Sequence, residues 1–141
     1  MRTFILMRHG DAPNFSASGE FIDDFDRSLS EKGKIETKAA AKKLSSKYNI
    51  DLIVSSNAPR SYTTAKFLLD EFPDCFFRQE EILYNGTSQL IQRFLWSIED
   101  DFKVICIIGH NPTITEIIRE MSNGEHSETL KPSEFVVIKD E

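Results

Sequence analysis

Short apolar runs alternate along this chain with longer stretches in which apolar residues recur every three or four positions. Thr3 to Met7, Asp51 to Val54 and Val104 to Ile108 are compact apolar runs that read as buried strands. Cys75 to Phe77 is a shorter candidate, and Glu134 to Ile138 gives a final strand. Between them lie helical stripes: Ala40, Ala41, Leu44 and Tyr48; then Tyr62, Ala65, Leu69 and Phe72; then Leu90, Ile91, Phe94, Leu95 and Ile98; then Ile114, Ile117, Ile118 and Met121.

Punctuation supports these elements. Ser28 to Glu31 has the spacing of a capping box, with Ser30 as an alternative N-cap. Pro59 suits a first helical turn, where a missing N–H costs nothing. Asn111 and Pro112 read as N-cap and first residue of the last helix, and Asn123-Gly124 as its left-handed end. Strands that alternate with helices predict an α/β fold: a single domain over 1–141, with a mainly parallel sheet flanked by helices. No repeat, low-complexity segment or linker interrupts it.

Composition narrows the partners. The net charge of −6 argues against nucleic acid and against an anionic membrane surface. No apolar run approaches membrane-spanning length, and MRTFILM is too soon interrupted by Arg8 and His9 for a signal peptide. The expected compartment is the cytoplasm. Cys75 and Cys106 form no CxxC pair and are expected to be buried thiols. The three histidines have no HxH, HxxxH or HExxH spacing, so neither a metal nor a cofactor is expected, and His126 reads as a solvated loop residue.

The chemistry concentrates at strand-to-helix junctions. Arg8-His9-Gly10 follows the first strand, Arg60 lies in the first turn after the second, and His110 lies between Val104–Ile108 and the helix after it. In a parallel sheet these junctions share one edge, where ligands bind and helix N-termini favour anions. Arginine offers a planar fork of donors that matches phosphate, and Gly10 would let the backbone approach the ligand closely.

Arg8-His9-Gly10-Asp11-Ala12 resembles the opening signature of the histidine phosphatase superfamily, which includes the cofactor-dependent phosphoglycerate mutases. Within it the chain is most similar to the SixA-type phosphohistidine phosphatases. Asp26-Arg27-Ser28-Leu29-Ser30-Glu31-Lys32-Gly33, the Ser55–Ala65 block and Gly109-His110-Asn111-Pro112 resemble the later family blocks, in the family's order. Two departures, Ser61 for the common Ala and Thr63 for Gln or Glu, read as packing changes. The resemblance implies a phosphoglycerate mutase-like sheet, with His9 as nucleophile, Arg8 and Arg60 binding phosphate, and His110 completing the pocket.

A nucleophilic imidazole must be neutral, and nearby Arg8 and Arg60 disfavour its protonation. A backbone carbonyl near Gly10 is expected to fix the tautomer. The proton donor to the leaving group is left open: Asp11 and Glu81 are the candidates, and Glu81 to Gly86 carries no family motif. The expected substrate is phosphohistidine in a protein partner, because no insertion is long enough for a lid and Pro13 to Phe25 is the only sizeable loop near the site. The alternatives are a phosphatase for small phosphate esters and a non-catalytic phosphate-binding module. The sequence does not specify the oligomeric state.

Overall fold

A computed structural model describes residues 1–140; Glu141, the last residue of the expected domain, lies outside them. Five strands form one sheet in the order β3-β2-β4-β1-β5. They are β1 (Arg2–Arg8), β2 (Leu52–Ser55), β3 (Phe76–Gln79), β4 (Val104–Gly109) and β5 (Phe135–Asp140). All neighbours are parallel except β5, which runs antiparallel to β1. The helices are α1 (Glu31–Ser45), α2 (Pro59–Glu71), α3 (Ile82–Asn85), α4 (Ser88–Ser97) and α5 (Thr113–Met121), and a 3-10 turn lies at Asp24–Asp26. The fold is the expected α/β architecture, a mainly parallel sheet flanked by helices.

Strand alternation divides the core. Phe4, Leu6, Leu52, Val54, Ile105 and Ile107 point to one face and pack with Ile91, Leu95, Ile114 and Ile117 of α4 and α5. Ile5, Met7, Ile53, Cys106 and Ile108 point to the other and pack with Ala41 and Leu44 of α1 and Ala65 and Leu68 of α2. Each fully buried Leu or Ile contributes about 1.5–3 kcal/mol, so the three central strands are the most firmly held part of the molecule.

Several boundaries differ from expectation for local reasons. Ser30 caps α1, accepting from the Gly33 amide, and Ser28 does not. Pro112 is the N-cap of α5 and Asn111 lies before it. Asn111 is committed elsewhere: its Nδ2 donates to the Leu130 carbonyl at 2.7 Å and its Oδ1 accepts from Thr115 Oγ1 at 2.6 Å. On α2 the inward stripe runs through Arg60, Ser61, Thr64, Ala65 and Leu68, leaving Tyr62 exposed. Cys75 is half-buried rather than buried, and Cys106 is buried as expected. The end of α5 follows expectation, with Asn123 and Gly124 both at positive φ. The 3-10 turn and α3 have too few residues to show a periodicity.

Candidate active site

β1 and β4 are adjacent and in register, Arg8 opposite Gly109, so the residues that follow them emerge side by side. The His9 and His110 ring centroids are 4.9 Å apart. β2 lies on the other side of β4, and the helix after it brings Arg60 to the same edge. Arg8, His9, Asp24, Arg27, Arg60, Tyr84, His110 and Asn111 line a cavity of about 330 Å³. A larger cavity of about 660 Å³ opens at the other end of the strands, between Asn49–Asp51, the end of α2 and Phe102. Its lining contains Asp51, Glu71, Asp74, Glu99 and Asp101 and no basic residue, so it is unsuited to an anion.

His9 is buried and its tautomer is fixed. Nδ1 lies 2.7 Å from the Gly10 carbonyl, which can only accept, so Nδ1 carries the hydrogen. Nε2 is left with its lone pair and accepts from Arg60 Nε at 3.2 Å. Burial, more than the neighbouring arginines, pushes the imidazole down to about 4. His110 is pushed down to about 3, by burial first and then by His9 and Arg60. Both rings are therefore neutral near pH 7. His110 Nε2 lies 2.6 Å from Ser56 Oγ and 3.2 Å from Ser61 Oγ. His110 Nδ1 and Arg8 Nε are buried and have no hydrogen-bond partner in the protein. An unprotonated imidazole nitrogen thus sits among guanidinium groups and an imidazole with donor capacity to spare. That arrangement can attack an electrophilic phosphorus and hold its oxygens.

Residues 4–83 match the sequence profile of the histidine phosphatase superfamily (branch 1). The chain belongs to the histidine phosphatase superfamily. Among solved structures it is similar to a protein from Agrobacterium tumefaciens assigned as phosphohistidine phosphatase SixA, at 27% identity and TM-score 0.84, with 96% of this chain and 90% of that one covered. A protein of the same assignment from Nakamurella multipartitia is similar at 25% identity and TM-score 0.81, covering 96% and 83%. A mycobacterial glucosyl-3-phosphoglycerate phosphatase shares the fold at 16% identity and TM-score 0.70, covering 96% and 89%. No curated protein matches the sequence. The chain is a phosphatase with a phosphoglycerate mutase-like fold.

In this histidine phosphatase Arg8, His9, Arg60 and His110 converge as the sequence predicts, while three other expected site residues do not reach the cavity. Asp11 does not line it: its carboxylate accepts from Ser30 Oγ at 2.7 Å and its carbonyl from the Ser30 amide, tying the loop to the start of α1. Glu81 is exposed, and its Oε1 accepts from Asn85 Nδ2 at 3.2 Å. Gly10 serves packing rather than ligand approach: a Cβ there would lie 2.5 Å from Thr37 Oγ1 and 3.1 Å from the Gly33 carbonyl. Its amide donates to Thr64 Oγ1 at 3.0 Å, which locks His9 to α2. Ser61 is more than the packing change expected, since its hydroxyl faces His110.

Sequence reasoning missed Arg27, Asp24 and Tyr84. Arg27 was within reach, because it stands in the Asp26–Gly33 block that carries the resemblance. Asp24 and Tyr84 had no signal: one is the first residue of a single 3-10 turn and the other lies in a four-residue helix. Among the described residues no group of His, Cys, Asp and Glu is arranged to hold a metal ion, and no helix is long and apolar enough to cross a membrane.

Proposed function

We propose that this phosphatase removes the phosphoryl group from phosphohistidine in a protein partner, by way of a covalent phosphoryl group on His9. The observation that carries the choice of a protein substrate is the segment beside the cavity. Phe15, Phe21 and Phe25 are exposed on it, at 57%, 69% and 39%, and Phe15 and Phe21 are bridged to one another as a small hairpin. Exposed aromatic residues on a segment that ends at the cavity-lining Asp24 and Arg27 suit contact with a protein surface. A metabolite phosphate would have no use for them.

In this reading His9 Nε2 attacks phosphorus, Arg8 and Arg60 hold the phosphoryl oxygens, and His110 donates to one of them from Nδ1. That donation follows if Ser56, whose oxygen already accepts from the Ala58 amide, gives its own hydrogen to His110 Nε2. Arg27 adds a third guanidinium. The free thiols Cys75 and Cys106 agree with a reducing cytosol. The test is hydrolysis of a phosphohistidine-bearing carrier protein against a panel of metabolite phosphates. A preference of at least about tenfold in kcat/KM for the protein is expected. Equal or faster turnover of the metabolite esters would replace this substrate with a small one.

A further inference from the structure

The cavity already holds an anion of the chain's own. Asp24 Oδ2 lies 3.1 Å from Arg60 Nη2 and accepts from the Tyr84 hydroxyl at 2.7 Å. Its Oδ1 lies 3.1 Å from Arg27 Nη1, and its main-chain carbonyl accepts from Arg60 Nη1. The third Arg60 nitrogen, Nε, donates to His9 Nε2 at 3.2 Å. Asp24 therefore sits on the guanidinium nitrogens that phosphoryl oxygens would need, and it holds Arg60 where Nε meets the His9 lone pair. A single lone pair cannot accept that hydrogen and bond to phosphorus at the same time. The Tyr84 hydrogen bond first, and Arg60 with it, hold this carboxyl at about 2, so it is charged at neutral pH. Asp24 is exposed, so the contact is reversible rather than sealed into the core.

Asp24 also fastens the segment that carries it. Among the described residues, every hydrogen bond from 13–26 to the chain beyond Arg27 is made by Asp24, to Arg60 and Tyr84. Beside it, Phe25 rests edge-on against Tyr84. The same segment presents the exposed Phe15, Phe21 and Phe25. We propose that Asp24 is a latch: it fills the phosphoryl place on Arg60, hinders the entry of small phosphates, and is drawn out when a protein partner engages the three phenylalanines. Release frees two nitrogens of Arg60 for phosphoryl oxygens and lets Nε leave the His9 lone pair. A small phosphate has to displace the carboxylate unaided, whereas a docking protein favours the unlatched state through its contacts with the segment. The apparent affinity for an anion falls in proportion to the fraction of molecules that are unlatched. The proposal rests on the reading of a protein partner as the substrate of this site.

Binding of inorganic phosphate, amide hydrogen exchange and turnover test it in the wild type, Asp24→Ala and Tyr84→Phe. Asp24→Ala should tighten phosphate binding and raise kcat/KM for 4-nitrophenyl phosphate, each by at least about tenfold, while kcat/KM for a phosphohistidine-bearing carrier protein changes by less than about threefold. Tyr84→Phe removes one bond to the latch without changing any charge, and should give a smaller gain in the same direction. In the wild type, saturating phosphate should speed amide exchange over residues 14–26, because the anion displaces the latch. Neither side chain is buried, so both variants should fold, which circular dichroism checks. An unchanged phosphate affinity in Asp24→Ala, or exchange that slows when phosphate binds, would overturn the latch. A fall in turnover of both substrates would overturn it in favour of a catalytic role for Asp24. An equal gain for both would overturn the opening by a partner. Phosphate affinity and exchange involve no partner, so a wild type that prefers metabolite esters would overturn the protein-substrate reading, and the partner's part in the opening with it, while leaving those two readouts as they are.

Discussion

The cavity has two walls of different construction. One is the edge of the sheet: His9 and Arg60 are buried and Arg8 and His110 partly buried, with Arg8 at the end of β1, His9 and His110 directly after strands and Arg60 in the first turn of α2. The other is made of Asp24, Arg27 and Tyr84, carried by a 3-10 turn, the residue after it and a four-residue helix. The first wall inherits its rigidity from the two-sided core. The second is held by the hydrogen bonds of Asp24 to its neighbours and of Arg27 to the Ala12 carbonyl, with the Phe25–Tyr84 contact as packing, centroids 5.3 Å apart, and it reaches the core through Leu83 of α3. Segments with few buried contacts open at lower cost than core strands. Chemistry that needs fixed geometry has its residues on the rigid sheet edge, and the second wall is the side that can adjust to what enters, a division between a fixed and an adjustable wall.

The sharpest way to break that division is at its first wall. His9→Ala removes the nucleophile and should lower turnover by roughly ten-thousandfold or more, as losses of covalent nucleophiles do. Steady-state assays and the disappearance of acid-labile phosphate on the protein check it. Residual turnover near the wild-type level would remove His9 from the mechanism. Arg60→Lys strikes both walls, since Arg60 holds His9 with one nitrogen and Asp24 with the other two. An ammonium cannot reproduce that fork, and a loss of about 100- to 1000-fold in kcat/KM is expected. A lysine enzyme within a few-fold of the wild type would mean that charge alone suffices there.

The contrast between the walls also explains what could be read from the sequence. Apolar runs, helix starts and the strand-to-helix junctions were legible because each leaves a pattern over several residues, and Arg8, His9, Arg60 and His110 all sit at such junctions. Asp24 and Tyr84 were not, since their positions depend on how short irregular segments fold back over the edge, 60 residues apart in sequence for their mutual hydrogen bond. Asp11 misled for a related reason: adjacency to His9 in the chain says nothing of side-chain direction, and the Ser30 hydroxyl and amide turn it toward α1. Ser61 was visible as a departure from the family pattern, but its role needed the depth of His110 beside it.

A smaller effect tests the burial of the first wall. Both histidines titrate at 6.5 when unperturbed and at about 4 and about 3 when folded. Between these values the unfolded chain binds protons that the folded chain refuses. Stability should therefore be full above about pH 6.5 and fall on acidification, by up to about 1.4 kcal/mol per pH unit for each histidine, until the folded values are reached. Urea unfolding at pH 7, 6 and 5 checks the slope, and His110→Asn should remove about half of it. A stability that stays flat over this range would mean that the two rings titrate as in water.

The smallest expected effect concerns the two hydroxyls behind His110. Ser56 and Ser61 are both fully buried and both face Nε2, at 2.6 and 3.2 Å. Ser56 has a second duty, accepting from the Ala58 amide at 3.3 Å, so Ser56→Ala strands that amide at the start of α2 and leaves His110 Nε2 only the longer Ser61 contact. Ser61→Ala removes only the longer contact and leaves the shorter one in place. It should lower kcat by less than about tenfold with little change in KM, whereas Ser56→Ala should cost more in both kcat and stability. The imidazole resonances of His110 separate positioning from packing. If Ser61 helps hold the Nδ1–H tautomer, Ser61→Ala shifts them while the apolar resonances of α2 stay in place, and Ser61→Thr, which restores a hydroxyl, moves them back. A kcat loss with an unmoved His110 spectrum would assign Ser61 to the packing of α2, and the division between the walls would then rest on Ser56 alone at this corner.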